Sequence, residues 1–108
     1  MKSPLDKPIA QQSFLWIRPD GGEVAVTAKI GAPYCEDGTL WRCPAALEGI
    51  DMQYPDIFGE GSMQALGLAM RLIRTRLMAT IEGSGTLYYM EDRSTPVTTD
   101  LINTVFAG

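Results

Sequence analysis

Apolar and polar residues alternate most clearly over residues 23–30. The segment "EVAVTAKI" puts its larger apolar residues, Val24, Val26 and Ile30, on one side, and a period of two is typical of a half-buried strand. The earlier segment "SFLWIR" predicts a partner strand. Between them lies "PDGG", where glycine tolerates positive φ and aspartate bonds its own backbone. The pattern therefore predicts a hairpin with one buried face.

Three later segments also favour extended structure. "LWRCPAALEGI" predicts a third strand, which Pro44 places at a sheet edge or at a bulge because proline has no amide hydrogen. Ile57 and Phe58 indicate a short fourth strand or an extended connection, and "TLYYMED" indicates a last strand. Within the tail of residues 93–108, the apolar residues Leu101, Ile102, Val105 and Phe106 fit a short helix slightly better than a strand.

The stretch after Ser62 has a helical period. One stripe spans about 80° of a helical projection, and it comprises Leu66, Met70, Ile73, Leu77 and Ile81. We expect this helix to begin within two or three residues of Ser62 and to end near Glu82, before two glycines. Leu68 and Leu72 lie outside the stripe and widen the apolar sector. They predict either an interface with a second copy, or cover by the lead-in or by residues 101–106 of the same chain.

Together these elements predict an α+β domain, an antiparallel sheet of four or five strands with one long helix packed on one face. Residues 13–108 form this single domain. Residues 1–12 contain two prolines and no period, so we expect a poorly ordered lead-in.

Charge and composition exclude several classes of partner. The net charge is −4 and the pI about 4.6, which argues against nucleic-acid binding because that depends on basic side chains. No apolar run reaches the roughly 20 residues of a membrane span, and the N-terminus lacks the apolar region of a signal peptide. We therefore expect a cytoplasmic protein with no membrane partner.

The 108 residues include no histidine, and this removes Ser-His-Asp and Cys-His catalysis and His-ligated zinc. Cys35 and Cys43 lack CxxC spacing, so we expect no metal, no cofactor and reduced thiols. Trp41 and Cys43 suit either a ligand pocket or core packing, and packing is the commoner role of such a pair. With no recognisable catalytic constellation, the sequence favours a protein that is not an enzyme.

The turn "GEGSMQAL" at the helix start has two interpretations. Gly59 and Gly61 open the backbone beside free helix amides, which favours an anion or small-ligand site with Ser62 and Gln64 as further contacts. Alternatively, Ser62 caps the helix and Gln64 reaches back to the backbone, as in a capping box. Neither a dinucleotide fingerprint nor a P-loop is present, and the structural role is the commoner one.

Three segments, "IGAPY", "LWRCPAALEGI" and "GEGSMQALGLAM", occur in this order. They resemble a family of bacterial proteins of about one hundred residues whose function is unknown. The features in common are a W-x-C-P strand, a following glycine and a G-x-x-S-x-Q-A-L-x-L-A helix start, with Gly61 where the family usually has aspartate. The resemblance runs from about Gly31 to Leu77, and it implies a shared fold without an activity.

The sequence is compatible with two functions. The first is a non-catalytic module that binds a protein partner or associates with itself. The alternative is a domain for a small ligand or an anion, centred on the helix start at residues 59–64 and with weak enzymatic activity at most.

Overall fold

The computed structural model describes residues 4–35, 38–83 and 85–106. A short 3-10 helix (Pro4–Asp6) precedes nine strands and two helices. The strands are β1 (Ala10–Ile17), β2 (Glu23–Ile30), β3 (Tyr34–Cys35), β4 (Trp41–Cys43), β5 (Ala45–Glu48), β6 (Met52–Gln53), β7 (Ile57–Gly59), β8 (Thr86–Tyr89) and β9 (Asp92–Pro96). The helices are α1 (Ser62–Gly83) and α2 (Thr99–Val105).

The larger sheet is antiparallel and has the order β6-β5-β2-β1-β8-β9. Its centre is the predicted hairpin, which the structure confirms: β1 pairs with β2 from Ala10↔Ile30 to Ile17↔Glu23. The turn is closed by the Gly22 amide, which donates to Asp20 Oδ1 over 2.8 Å. The first strand begins at Ala10, so the start expected at residue 13 is wrong by three residues. The poor order expected for residues 1–12 stays a prediction, and residues 1–3 lie outside the described residues.

The predicted third strand is in fact two strands on either side of Pro44. β4 lies in a second sheet of order β3-β4-β7, whereas β5 lies in the larger sheet. Pro44 has no amide hydrogen to donate, so the ladder breaks there and the chain passes from one sheet to the other. The expected single sheet of four or five strands is therefore wrong, because the described residues form one sheet of six strands and one of three.

Helix α1 runs from Ser62 to Gly83, as predicted, and packs against both sheets. Its fully buried row is Ala65, Ala69, Ile73 and Leu77. In the first half of the helix, the buried residues are therefore Ala65 and Ala69, each one residue before an expected stripe residue. These alanines are small, so the second sheet approaches the start of the helix closely. The expected stripe residues Leu66, Met70 and Ile81 are partly buried beside this row.

The C-terminal tail contains both a strand and a helix. β9 forms the exposed edge of the larger sheet, and this strand was not predicted. The short helix α2 confirms the expectation for the tail. Thr98 caps it by accepting a hydrogen bond from the Leu101 amide, and Ile102 and Phe106 are buried in the core around α1.

Candidate functional site

An apolar groove lies between one end of the β1–β2 pair and the two helices. It has a volume of about 260 Å³ and is partly open to solvent, and its walls are almost entirely apolar. Its floor consists of residues from the two strands, principally Ala10, Gln12, Ala28 and Ile30. This groove is a candidate binding site because ligand pockets are concave and mostly apolar.

The strand register explains why space remains above this floor. Gln12 pairs with Ala28 and Ala10 with Ile30, and all four share a face with buried Phe14, since side chains two residues apart point the same way. Two of these four residues are alanines, whose small side chains do not reach the helices. In addition, β8 pairs with β1 only at residues 14–17, so within the described residues no strand pairs with residues 10–12 on the second side of β1.

Helix residues form the opposite wall of the apolar groove. Leu66, Met70 and Ile73 come from α1, and Val105 and Phe106 come from the end of α2. Sequence reasoning placed the first three on a core stripe but did not identify the groove. The residues lie far apart in the chain, and Ala10 was assigned to the lead-in.

A second, smaller cavity adjoins the apolar groove. It has a volume of about 150 Å³ and is lined by Gly67, Met70, Arg71, Arg74 and Phe106. Met70 and Phe106 line both cavities, so the two share a wall. We call the second one the arginine cavity.

The third arginine of α1 has a different environment. Arg76 Nε donates a 2.7 Å hydrogen bond to Asp51 Oδ2, and the Tyr54 hydroxyl donates to the same oxygen over 2.7 Å. The hydrogen bond from Arg76 is the main reason why the pKa of Asp51 lies below its usual value. Burial is the main cause that raises the pKa of Tyr54, and the hydrogen bond to Asp51 is the second. This cluster links the residues before β7 to the helix.

The turn before α1 is tightly packed at Gly59. A Cβ on this residue would lie 2.5 Å from the Ala65 nitrogen. The Glu60 amide donates to Gln64 Oε1 over 2.6 Å, which confirms that Gln64 reaches back to the backbone. The first helical hydrogen bond runs from the Ala65 amide to the Gly61 carbonyl, so Gly61 is the N-cap and the cap expected at Ser62 is wrong. Anion binding by Gly59, Gly61, Ser62 and Gln64 stays a prediction.

The flank formed by Leu68 and Leu72 is not where the tail packs. Leu68 is 37% exposed, and Leu72 is partly buried. The residues of α1 that line a cavity together with Phe106 are centred about 130° away from this flank on a helical projection. The tail therefore covers a different side of α1, and an interface at Leu68 and Leu72 stays a prediction.

The two cysteines form no disulfide. Cys43 is buried and its thiol donates to the Gly31 carbonyl over 3.5 Å. Burial, with a smaller effect of the Asp56 charge, raises the pKa of Cys43 to about 11. Since thiolates are the reactive form, Cys43 serves core packing, and Trp41 packs partly buried against the same core. In the described part of the chain, no three His, Cys, Asp or Glu residues are grouped so as to hold a metal.

Among the described residues, neither helix combines the length and the hydropathy that a transmembrane span requires. No curated protein and no solved structure matches the chain. A family model does match, over residues 12–98. These residues include α1 and both sheets except the first two residues of β1, whereas α2 follows them. Since the match extends over most of the sequence, the chain belongs to the family described as Domain of unknown function (DUF6968).

Proposed function

We propose that this protein is a non-catalytic binding module, and that it takes an apolar group of its ligand into the apolar groove. The observation that carries the proposal is the groove itself, with its volume of about 260 Å³ between the β1–β2 pair and the two helices. A dry engineered cavity of roughly 150 Å³ suffices to bind benzene. The groove is thus large enough for a ring or a short chain, though smaller than most pockets for drug-sized ligands.

The chemistry of the lining favours binding over catalysis. None of the described residues around the apolar groove has a titratable side chain, whereas general acid–base and nucleophilic catalysis need such groups within hydrogen-bond reach of the substrate. The groove supplies apolar contact area. A bacterial origin and a cytoplasmic location, both expected from the sequence, belong to this proposal as well.

Binding of a neutral apolar probe tests the proposal. With methyl-¹³C methionine, titration of 1-octanol is expected to shift the NMR signal of Met70, which lines the groove. The signal of Met63, which is 86% exposed, should stay unchanged and serves as an internal reference. Met70→Leu assigns the signal.

A filled groove provides the matched variant. Ala10→Phe places a large side chain on the groove floor and should abolish the octanol-dependent shift of Met70. Ala79→Phe makes the same exchange at an exposed position of α1 outside the lining, so it should bind like the wild type. If Met70 does not respond in the wild type, or responds equally in Ala10→Phe, the groove is not the binding site.

We also propose self-association through Leu68 and Leu72, because Leu68 remains 37% exposed on α1. Light scattering at micromolar concentration is expected to give a dimer mass for the wild type and a monomer mass for Leu68→Glu. Met63→Glu, which changes a more exposed apolar residue on the same helix, should leave the mass unchanged. A monomeric wild type would refute the interface and leave the groove proposal intact.

A further inference from the structure

The apolar groove and the arginine cavity together are complementary to an amphipathic ligand, because one is apolar and the other is lined by two arginines. Met70 and Phe106 belong to the walls of both. A molecule seated between the β1–β2 pair and α1 therefore lies next to the cavity that Arg71 and Arg74 line. The two cavities provide about 260 Å³ for an apolar body and about 150 Å³ beside the arginines.

The charges around the arginine cavity are uncompensated. Arg71 and Arg74 form no ion pair with an acidic side chain within residues 4–35, 38–83 and 85–106. Arg76, two residues after Arg74 on α1, is by contrast bonded to Asp51. In a protein with a net charge of −4, two unpaired arginines at a cavity are a local positive site.

The positions of the two arginines suit an anionic headgroup. Arg71 and Arg74 are three residues apart, so their side chains lie on neighbouring parts of one helix surface. Arg71 is exposed and Arg74 is partly buried, so both side chains remain accessible to a ligand from solution. Guanidinium groups bind carboxylate and phosphate oxygens through two parallel hydrogen bonds.

We propose that the ligand is a free, small amphipathic anion, with its apolar chain or ring in the apolar groove and its anionic headgroup on Arg71 and Arg74. This inference rests on the proposed function of the groove and adds the chemistry of the headgroup. The ligand is one molecule of limited size, because the groove holds a ring or a short chain. It binds from solution and not as part of a bilayer.

Calorimetry with three probes of equal chain length tests the headgroup. Octanoate is expected to bind about fivefold more tightly than 1-octanol, since two partly exposed ion pairs contribute modestly. Octylammonium should bind more weakly than octanol. The advantage of octanoate should shrink at high salt, because exposed charges are screened. Octyl phosphate, which also presents an anion, should share the advantage.

Variants locate the charge effect. Arg71→Gln and Arg74→Gln should each reduce the preference for octanoate, and the double variant should bind octanoate and octanol about equally. Glutamine is a good helix former, and circular dichroism checks that the fold is kept. Arg18→Gln is the matched control. Arg18 directly follows β1 and lies six residues from Gln12, roughly 20 Å from the groove, and its removal should leave the preference unchanged.

The outcomes separate the two proposals. If octanol binds in the groove and octanoate binds no better, the function proposal stands and this inference is overturned. The inference also falls if Arg71→Gln, Arg74→Gln and Arg18→Gln reduce the preference equally, since the effect would then be one of overall charge. If neither probe binds, both proposals fail. Co-sedimentation with anionic vesicles without binding of free octanoate would overturn the inference in favour of a membrane surface.

Discussion

Gly59→Ser is expected to lower the free energy of unfolding by about 1 to 3 kcal/mol, the range found for overpacked interiors. A Cβ at this position would lie 2.5 Å from the Ala65 nitrogen and 2.9 Å from its Cα. Both of these atoms belong to the helix backbone, which cannot rotate away as a flexible side chain would. The second sheet or the start of α1 must therefore shift to make room.

Gly61→Ser is the matched control in the same turn. A Cβ at Gly61 meets nothing within 4 Å, and serine is favoured over glycine at an N-cap. The free energy of unfolding of this variant should lie within about 0.5 kcal/mol of the wild-type value or above it. Urea denaturation measures the free energy of unfolding of both variants, and an unchanged m-value shows that the difference is one of stability. Equal stability of the two variants would contradict the tight approach of β7 to the helix.

These two glycines also separate the structural role of the turn from the functional one. The sequence interpretation treated Gly59 and Gly61 alike, as residues that open the backbone to an anion. In the structure, Gly59 is buried and packed against Ala65, so its lack of a side chain has a packing reason. Only Gly61 has open space around it, and Gln64 already bonds the Glu60 amide.

Local patterns were sufficient for the β1–β2 hairpin and for α1. Both elements have a clear period and strong turn chemistry at their ends, so the residues that define each one are neighbours in sequence. The exchange between sheets at Pro44 was predicted only as an edge or a bulge. Which sheet each half joins depends on partners such as Gly31, whose amide donates to the Pro44 carbonyl, and no local pattern contains that information.

The apolar groove was not predictable for the same reason. Its lining residues come from β1, β2, α1 and α2. The side chains of Ala10 and Ala28 are too small to fill the space between the two strands and the two helices. The alternation over residues 23–30 puts Ala28 on the same side as Val26 and Ile30, but an inward alanine predicts packing as readily as a cavity. The candidate residues of the α1 start were recognisable because they adjoin one another in the chain.

The largest loss of stability is expected for Phe14→Ala, at about 3 to 5 kcal/mol, the range for buried Phe→Ala substitutions. Phe14 is 0% exposed and lies between its strand partners Val26 and Tyr89. Its ring stacks on that of Tyr89, with 5.6 Å between centroids. Truncation removes this contact and leaves a cavity at the centre of the larger sheet, where the paired strands on both sides prevent collapse.

Phe58→Ala makes the same exchange at a surface position and serves as the control. Phe58 is 50% exposed, and its ring lies 4.9 Å from the Arg42 guanidinium carbon. An exposed cation–π contact contributes about 0.5 to 1 kcal/mol, so this variant should lose no more than about that amount. Since small domains are stable by roughly 5 to 15 kcal/mol, Phe14→Ala should unfold at a much lower urea concentration than Phe58→Ala. Similar midpoints for the two variants would contradict the placement of Phe14 at the centre of the core.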